Sequence, residues 1–152
     1  MEALKAYRSW SFLSLFIVIL FWVSSVHVEY AGARNISVGG SEGWRYGYNY
    51  SDWISKAGKI YVNDVLVFKY SIPTSSSLPH NVLLLKDKSS YKKCNVSGGI
   101  KLADPTQGIG EGFAFKLKKV TNYYFACGVG NGKHCDVGLM KFGIKPVVKK
   151  GC

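Results

Sequence analysis

Beyond residue 33 the apolar positions fall in short runs, several with the two-residue alternation of half-buried β-strands. Ile36-Ser37-Val38 runs into the break Gly39-Gly40, and Ile60 to Val62 ends at Asn63-Asp64. Val65 to Tyr70 is the clearest strand, followed by a polar loop from Pro73 to Pro79. Between Asn81 and Lys86 the continuous apolar run Val82-Leu83-Leu84-Leu85 predicts a buried strand. Phe113 to Lys118 alternates, Tyr123-Tyr124-Phe125 leads into Cys127, and Met140 to Val148 closes with Phe142, Ile144 and Pro146. Short strands separated by Gly, Asn, Asp and Pro predict an all-β sandwich or barrel. Helical signals are confined to one or two turns over Ser51 to Ala57, with Ser51 or Asp52 as cap, and a short turn over Ser89 to Lys93.

The first 33 residues read differently. Lys5 and Arg8 precede the apolar run Phe12 to Val23, and Ser24-Ser25 leads to the small-residue pattern Ala31-Gly32-Ala33. A charged start, an apolar stretch and small residues predict a secretory signal peptide over residues 1–33. The apolar run is shorter than the roughly 20 residues of a spanning helix, so no membrane anchor is expected after cleavage. The expected domain covers residues 34–148. A short tail over residues 149–152 carries no apolar lipid-anchor signal. A secreted, extracellular product meets an oxidising compartment, where cysteines tend to pair. Asn35, Asn49 and Asn95 each begin an Asn-x-Ser sequon, which suits a glycosylated protein.

Composition narrows the function classes. The chain has 152 residues, 47% of them apolar and 14% aromatic, enough for one ordinary domain with its own core. With 19% charged residues it is no disordered polyelectrolyte. Lys and Arg number 20 against 9 Asp and Glu, a net charge of +11. The leader's Glu2, Lys5, Arg8 and Glu29 cancel, so the excess stays with the remainder. No nucleic-acid recognition module is readable. The lysines serve solubility, or attract a small redox partner, an acidic redox protein or acidic cell-wall polysaccharide, and a monomer is expected. His27, His80 and His134 are too few for a histidine-rich metal store or a multi-histidine hydrolase, and no Ser-His-Asp or paired-carboxylate arrangement is apparent.

The chemistry concentrates between Cys127 and Met140. A thiolate, the imidazole of His134 and a thioether fall within 14 residues of a Gly-rich loop between two strands, and His80 opens the strand after Pro79. Two His, one Cys and a weak axial Met form the ligand set of a blue-copper electron-transfer centre, since sulfur suits Cu(I) and imidazole suits both oxidation states. Bland readings stand beside it. Cys127 could bridge Cys94 or Cys135, His134 could be incidental, and Met140 could be core. Structural zinc prefers more thiolates or paired C-x-x-C spacing, absent here.

Further motifs carry a family resemblance. Val38-Gly39-Gly40 with Gly43-Trp44, then Trp53 and Asp64-x-Leu66-Val67-Phe68-x-Tyr70, resemble the phytocyanins. So do His80-Asn81-Val82, Tyr91-x-x-Cys94, and Tyr124-Phe125-x-Cys127 followed by His134-Cys135 and Gly138. The resemblance runs from about Ile36 to Pro146. It implies a cupredoxin-like Greek-key β-sandwich of two sheets with one or two short helices. It implies copper ligation by His80, Cys127 and His134, a Cys94–Cys135 disulfide, and an electron port at an exposed edge of His134 beside Lys133. Cys152 is then the odd thiol. The implied activity is one-electron transfer by a secreted, non-enzymatic type 1 copper protein. The copper-free early nodulin-like relatives offer the alternative of a cell-wall or cell-surface interaction module, against which the intact donor set argues. A copper enzyme would need an open coordination site or further copper centres.

Two departures from the family pattern bear on the site. Six residues, Gly128 to Lys133, separate Cys127 from His134 where the family has four, and this Gly/Asn-rich excess is expected to bulge outward. Counted from His134, the axial position falls on Leu139, with Met140 one residue later. On a strand that shift reverses the face, so the two are exclusive, and Met140 is expected inward through a bulge near Gly138.

Overall fold

A computed structural model describes residues 32–149. The leader expected over residues 1–33 therefore lies almost wholly outside the described residues, as does Cys152, while a compact unit begins at Ala33. Among the described residues seven strands form two sheets. In the first, β1 (Asn35–Ser37) pairs parallel with β2 (Val65–Phe68), which pairs antiparallel with β5 (Phe113–Lys116). In the second, β4 (Ile100–Ala103), β3 (Val82–Leu84), β6 (Tyr123–Ala126) and β7 (Lys141–Ile144) lie in that order, all antiparallel. Neighbours β2–β5 and β3–β6 are not consecutive in the chain, so the connections cross between sheets, as a Greek-key sandwich requires.

Alternation determines which face enters the core. In β2, Leu66 and Phe68 are buried while Val65 and Val67 are half-buried. In β7, Phe142 and Ile144 are buried and Lys141 and Gly143 only partly so. The inward faces meet in an aromatic centre where Phe68, Phe125 and Phe142 lie 5.1–6.1 Å apart, closed from one side by Trp44. Tyr50 is fully buried, and its hydroxyl donates to the carbonyl of Gly43 and accepts from the amide of Arg45.

Among the described residues three short α-helices, more than the one or two expected, complete the fold beside a 3-10 turn at Gly40–Glu42: α1 (Tyr50–Lys56), α2 (Lys88–Lys93) and α3 (Lys133–Asp136). The cap of α1 differs from expectation. Asn49 accepts from the amides of Ser51 and Asp52, so neither Ser51 nor Asp52 is the cap. Asp87 caps α2 by accepting from Ser90. Ile60 to Val62, expected as a strand, contributes a single parallel bridge between Tyr61 and Val147, because its backbone turns at Asn63 (φ 75°). The edge strand β4 had no counterpart among the expected elements.

Candidate metal centre

Antiparallel pairing carries the donors to one end of the second sheet. His80 lies just before β3 and Cys127 just after β6, and Leu83 pairs with Ala126. Ala126 pairs with Lys141, so Met140 lies opposite Cys127, whose amide donates to the Met140 carbonyl at 3.0 Å. His134 sits in α3, inside the connection between β6 and β7.

The donor atoms of His80, Cys127 and His134 all lie within 4.8 Å of one another. The two Nδ1 atoms are 3.2 Å apart, and Cys127 Sγ is 3.5 Å from His134 Nδ1. Metal–nitrogen bonds of about 2.0 Å and a metal–sulfur bond of about 2.3 Å at near-tetrahedral angles would space the donors at about 3.3 and 3.5 Å. The His80–His134 and Cys127–His134 pairs therefore already have the spacing of a shared ion, and the His80 donor lies within 4.8 Å of the Cys127 sulfur. Thiolate and imidazole together suit copper.

Electrostatics favour uptake of a cation. Burial, with His134 nearby, pushes the His80 imidazolium down to about 4, and burial lowers His134 as well. Both rings are thus neutral at neutral pH with lone pairs available. Burial raises the Cys127 thiol against the amides of Asn81 and Val129, which favour its thiolate. With a cation held by His80, Cys127 and His134, the Cys127 sulfur would be kept as the thiolate that its burial otherwise disfavours. Asn81 also fixes the frame: its Oδ1 accepts from the Gly128 amide at 2.7 Å and its carbonyl accepts from Trp44 Nε1 at 3.0 Å.

The sulfur question has a clear geometry. Cys94 and Cys135 form a disulfide, and Cys127 is buried outside it. The bridge ties α3, which carries His134, to the end of α2. Gly132 is needed there: its φ is +87°, and a Cβ would come within 2.6 Å of the Cys94 carbonyl. The longer Cys127–His134 connection folds into a tight turn, with Gly132 donating to Gly128 and His134 to Val129. Gly130, Asn131 and Lys133 face solvent on it while His134 stays inside, so the excess does go outward.

After α3 the chain reverses at Leu139, whose φ is +56°. That irregularity leaves Leu139 45% exposed and Met140 fully buried in the same core cluster as Cys127. One expectation fails. His134 is not an exposed port but only 4% exposed, because the Tyr46 ring stands edge-on to it at 5.2 Å and packs against Gly138. His80 is the more open imidazole. Nothing near His134 in sequence could reveal the cover, since Tyr46 comes from the far end of the domain.

A two-sheet sandwich with a His-Cys-His cluster at one end defines the cupredoxin class of copper sites. Residues 44–139 match the plastocyanin-like domain family, and the chain belongs to that family, within the phytocyanins its motifs resemble. It is 31% identical over 136 residues, 89% of its length, to a blue copper protein of Pisum sativum, and spans 64% of that relative. Among solved structures it resembles cucumber stellacyanin with Cu2+ at 26% identity and a TM-score of 0.59, covering 78% of this chain and 99% of that one. Cucumber basic protein, a blue copper protein, matches at 26% identity and a TM-score of 0.55 over 74% of this chain and 99% of that one.

Proposed function

We propose that this chain is a secreted type 1 copper protein that carries single electrons, in which His80, Cys127 and His134 would hold the copper with the Met140 thioether as a weak further donor. Copper held there supplies a one-electron Cu(I)/Cu(II) couple. The observation that carries the reading is a buried thiol, outside any disulfide, with two neutral imidazoles already at metal-sharing distance. The protein's own residues do the rest. Asn81 pins the His80 and Cys127 segments together, the disulfide anchors α3, and Tyr46 keeps water from His134. A frame that holds both imidazoles and the thiol in place limits rearrangement when the charge changes.

The exposed asparagines of all three sequons support glycosylation at Asn35, Asn49 and Asn95 on an extracellular protein. The charge of +11 supports an acidic redox protein or acidic cell-wall polysaccharide as partner. Expression with the native leader followed by addition of Cu(II) to protein recovered from the medium tests the reading. Intense thiolate-to-copper visible absorption, lost in Cys127→Ser and His80→Ala, is the expected result. A colourless wild-type protein would overturn it.

A further inference from the structure

Asp64 is the only fully buried carboxylate among the described residues, and its partners come largely from the start of the domain. Its Oδ1 accepts from the Arg34 backbone nitrogen at 3.1 Å, and its Oδ2 from Arg34 Nη2 at 2.7 Å and the Tyr61 amide at 3.0 Å. The Arg34 carbonyl in turn accepts from the Val65 amide at 2.8 Å, so the main chain of Arg34 is held on both sides of its α-carbon. Position 34 directly follows Ala31-Gly32-Ala33, the small-residue pattern at which the leader is expected to end. Gly32 and Ala33 are exposed, while the nitrogen of the next residue donates to the buried carboxylate. That nitrogen brings a neutral N–H to Asp64 in an uncleaved chain and an ammonium in a cleaved one.

We propose that hydrolysis of the Ala33–Arg34 bond creates an α-ammonium that Asp64 takes as an ion-pair partner, so that removal of the leader fastens β1 to β2. The hydrolysis consumes one water, whose hydroxyl goes to the Ala33 carbonyl carbon and whose hydrogen goes to the Arg34 nitrogen. The amine then takes up the proton that the new carboxyl releases, and a leader-cleaving peptidase of the secretory route is the catalyst. The proposal rests on the secretion part of the reading above and not on copper. Charge-assisted hydrogen bonds are about twice as strong as neutral ones. The burial of Asp64 also keeps salt from screening this one. The other charged or titratable groups nearby are the Arg34 guanidinium, Tyr61, and Lys149, whose ammonium lies 5.4 Å from the Tyr61 ring centre. Lys59 presents its carbonyl to Arg34, and Lys116 pairs with Val65 from β5.

N-terminal sequencing and competitive acetylation with acetic anhydride, applied to protein recovered from the medium and read by mass spectrometry of the deglycosylated N-terminal peptide, test the pairing. The chain is expected to begin at Arg34. At neutral pH its α-amine should acetylate about tenfold more slowly in the folded protein than in concentrated urea, as a pKa about one unit above the ordinary value of about 8 requires. The whole rate profile should shift along the pH axis, which steric cover alone would not produce. Asp64→Asn and a single alanine inserted before Arg34 should each restore the ordinary profile. Arg34→Ala should keep the shift, because the α-ammonium is then the cation that the carboxylate retains. A group whose folded pKa is raised contributes stability below its unfolded value, so wild type should resist urea better than the insertion variant below about pH 8 and lose that margin above about pH 9. A start elsewhere in the chain, an unshifted profile in the folded protein, or a shift that survives the inserted alanine would overturn the proposal. A chain that is never processed ends the secretion reading as well, whereas an Arg34 start with an ordinary amine ends this proposal alone.

Discussion

Met140 and Leu139 adjoin in the chain yet face opposite environments, one fully buried beside Cys127 and the other exposed. Met140→Leu nearly conserves volume and should cost less than about 1.5 kcal/mol in stability. On the proposed reading it removes a thioether that would help hold Cu(II), so the reduction potential measured by protein-film voltammetry should rise, while Leu139→Ala should leave it unchanged. A second residue with a readable consequence is Asp64, fully buried, which accepts from Arg34 Nη2 at 2.7 Å, the Arg34 amide at 3.1 Å and the Tyr61 amide at 3.0 Å. Burial pushes its pKa up, but the Arg34 guanidinium and the two amides outweigh it, and the net shift is downward. A carboxyl whose folded pKa lies below its unfolded value of about 3.9 contributes stability above that value and loses it as pH falls through the folded pKa. Asp64→Asn should therefore lower stability by about 1–3 kcal/mol at neutral pH, with the gap to wild type closing below about pH 4 in urea melts. At this scale the site was legible because its donors are chemically rare in the chain. The inward turn of Met140 was legible only as an alternative, since it depends on one left-handed residue at Leu139.

Elements were legible where their own residues create them. Val65 to Phe68 forms its strand by alternation and Val82 to Leu84 by burial, and both lie where the pattern put them. Those held by distant partners were not. The strand β4 is an edge whose Ile100 is mostly exposed, so no apolar face announced it. The helix α3 has four residues after a run of glycines, too short to form on propensity. Its location comes from the Cys94–Cys135 bridge, which closes a separation of 41 residues. The cap of α1 was misplaced by two or three residues because three adjacent polar side chains could each serve, and only Asn49 has the extended backbone a cap needs. The bridge gives the element-scale prediction. Cys94→Ser with Cys135→Ser should cost about 4 kcal/mol of stability in denaturant melts. Because α3 carries His134, the double variant should also bind copper more weakly, read by competition with a chelator, even in conditions where it remains folded.

At the scale of the whole molecule, charge and metal centre act at different ranges. Lys and Arg number 20 against 9 Asp and Glu, while the donors sit in a frame that shields two of the three from solvent. Surface charge acts through the solvent over roughly 10 Å at 0.1 M salt and vanishes within a few ångströms at 1 M. On the proposed reading, the field would decide how often a redox partner arrives, and the packed site how readily the electron then moves. These contributions separate in one experiment on the copper-loaded protein. Stopped-flow reduction by anionic hexacyanoferrate(II) should slow as ionic strength rises, because screening removes an attraction. Reduction by cationic hexaammineruthenium(II) should quicken over the same range, because screening removes a repulsion. The visible band of the oxidised protein should stay constant throughout, since the donors are packed against one another and the core rather than held by surface charge. Parallel salt dependence for the two reductants would show that the net charge does not govern approach. A drifting band would show a centre less sealed than the burial of Cys127 and His134 requires.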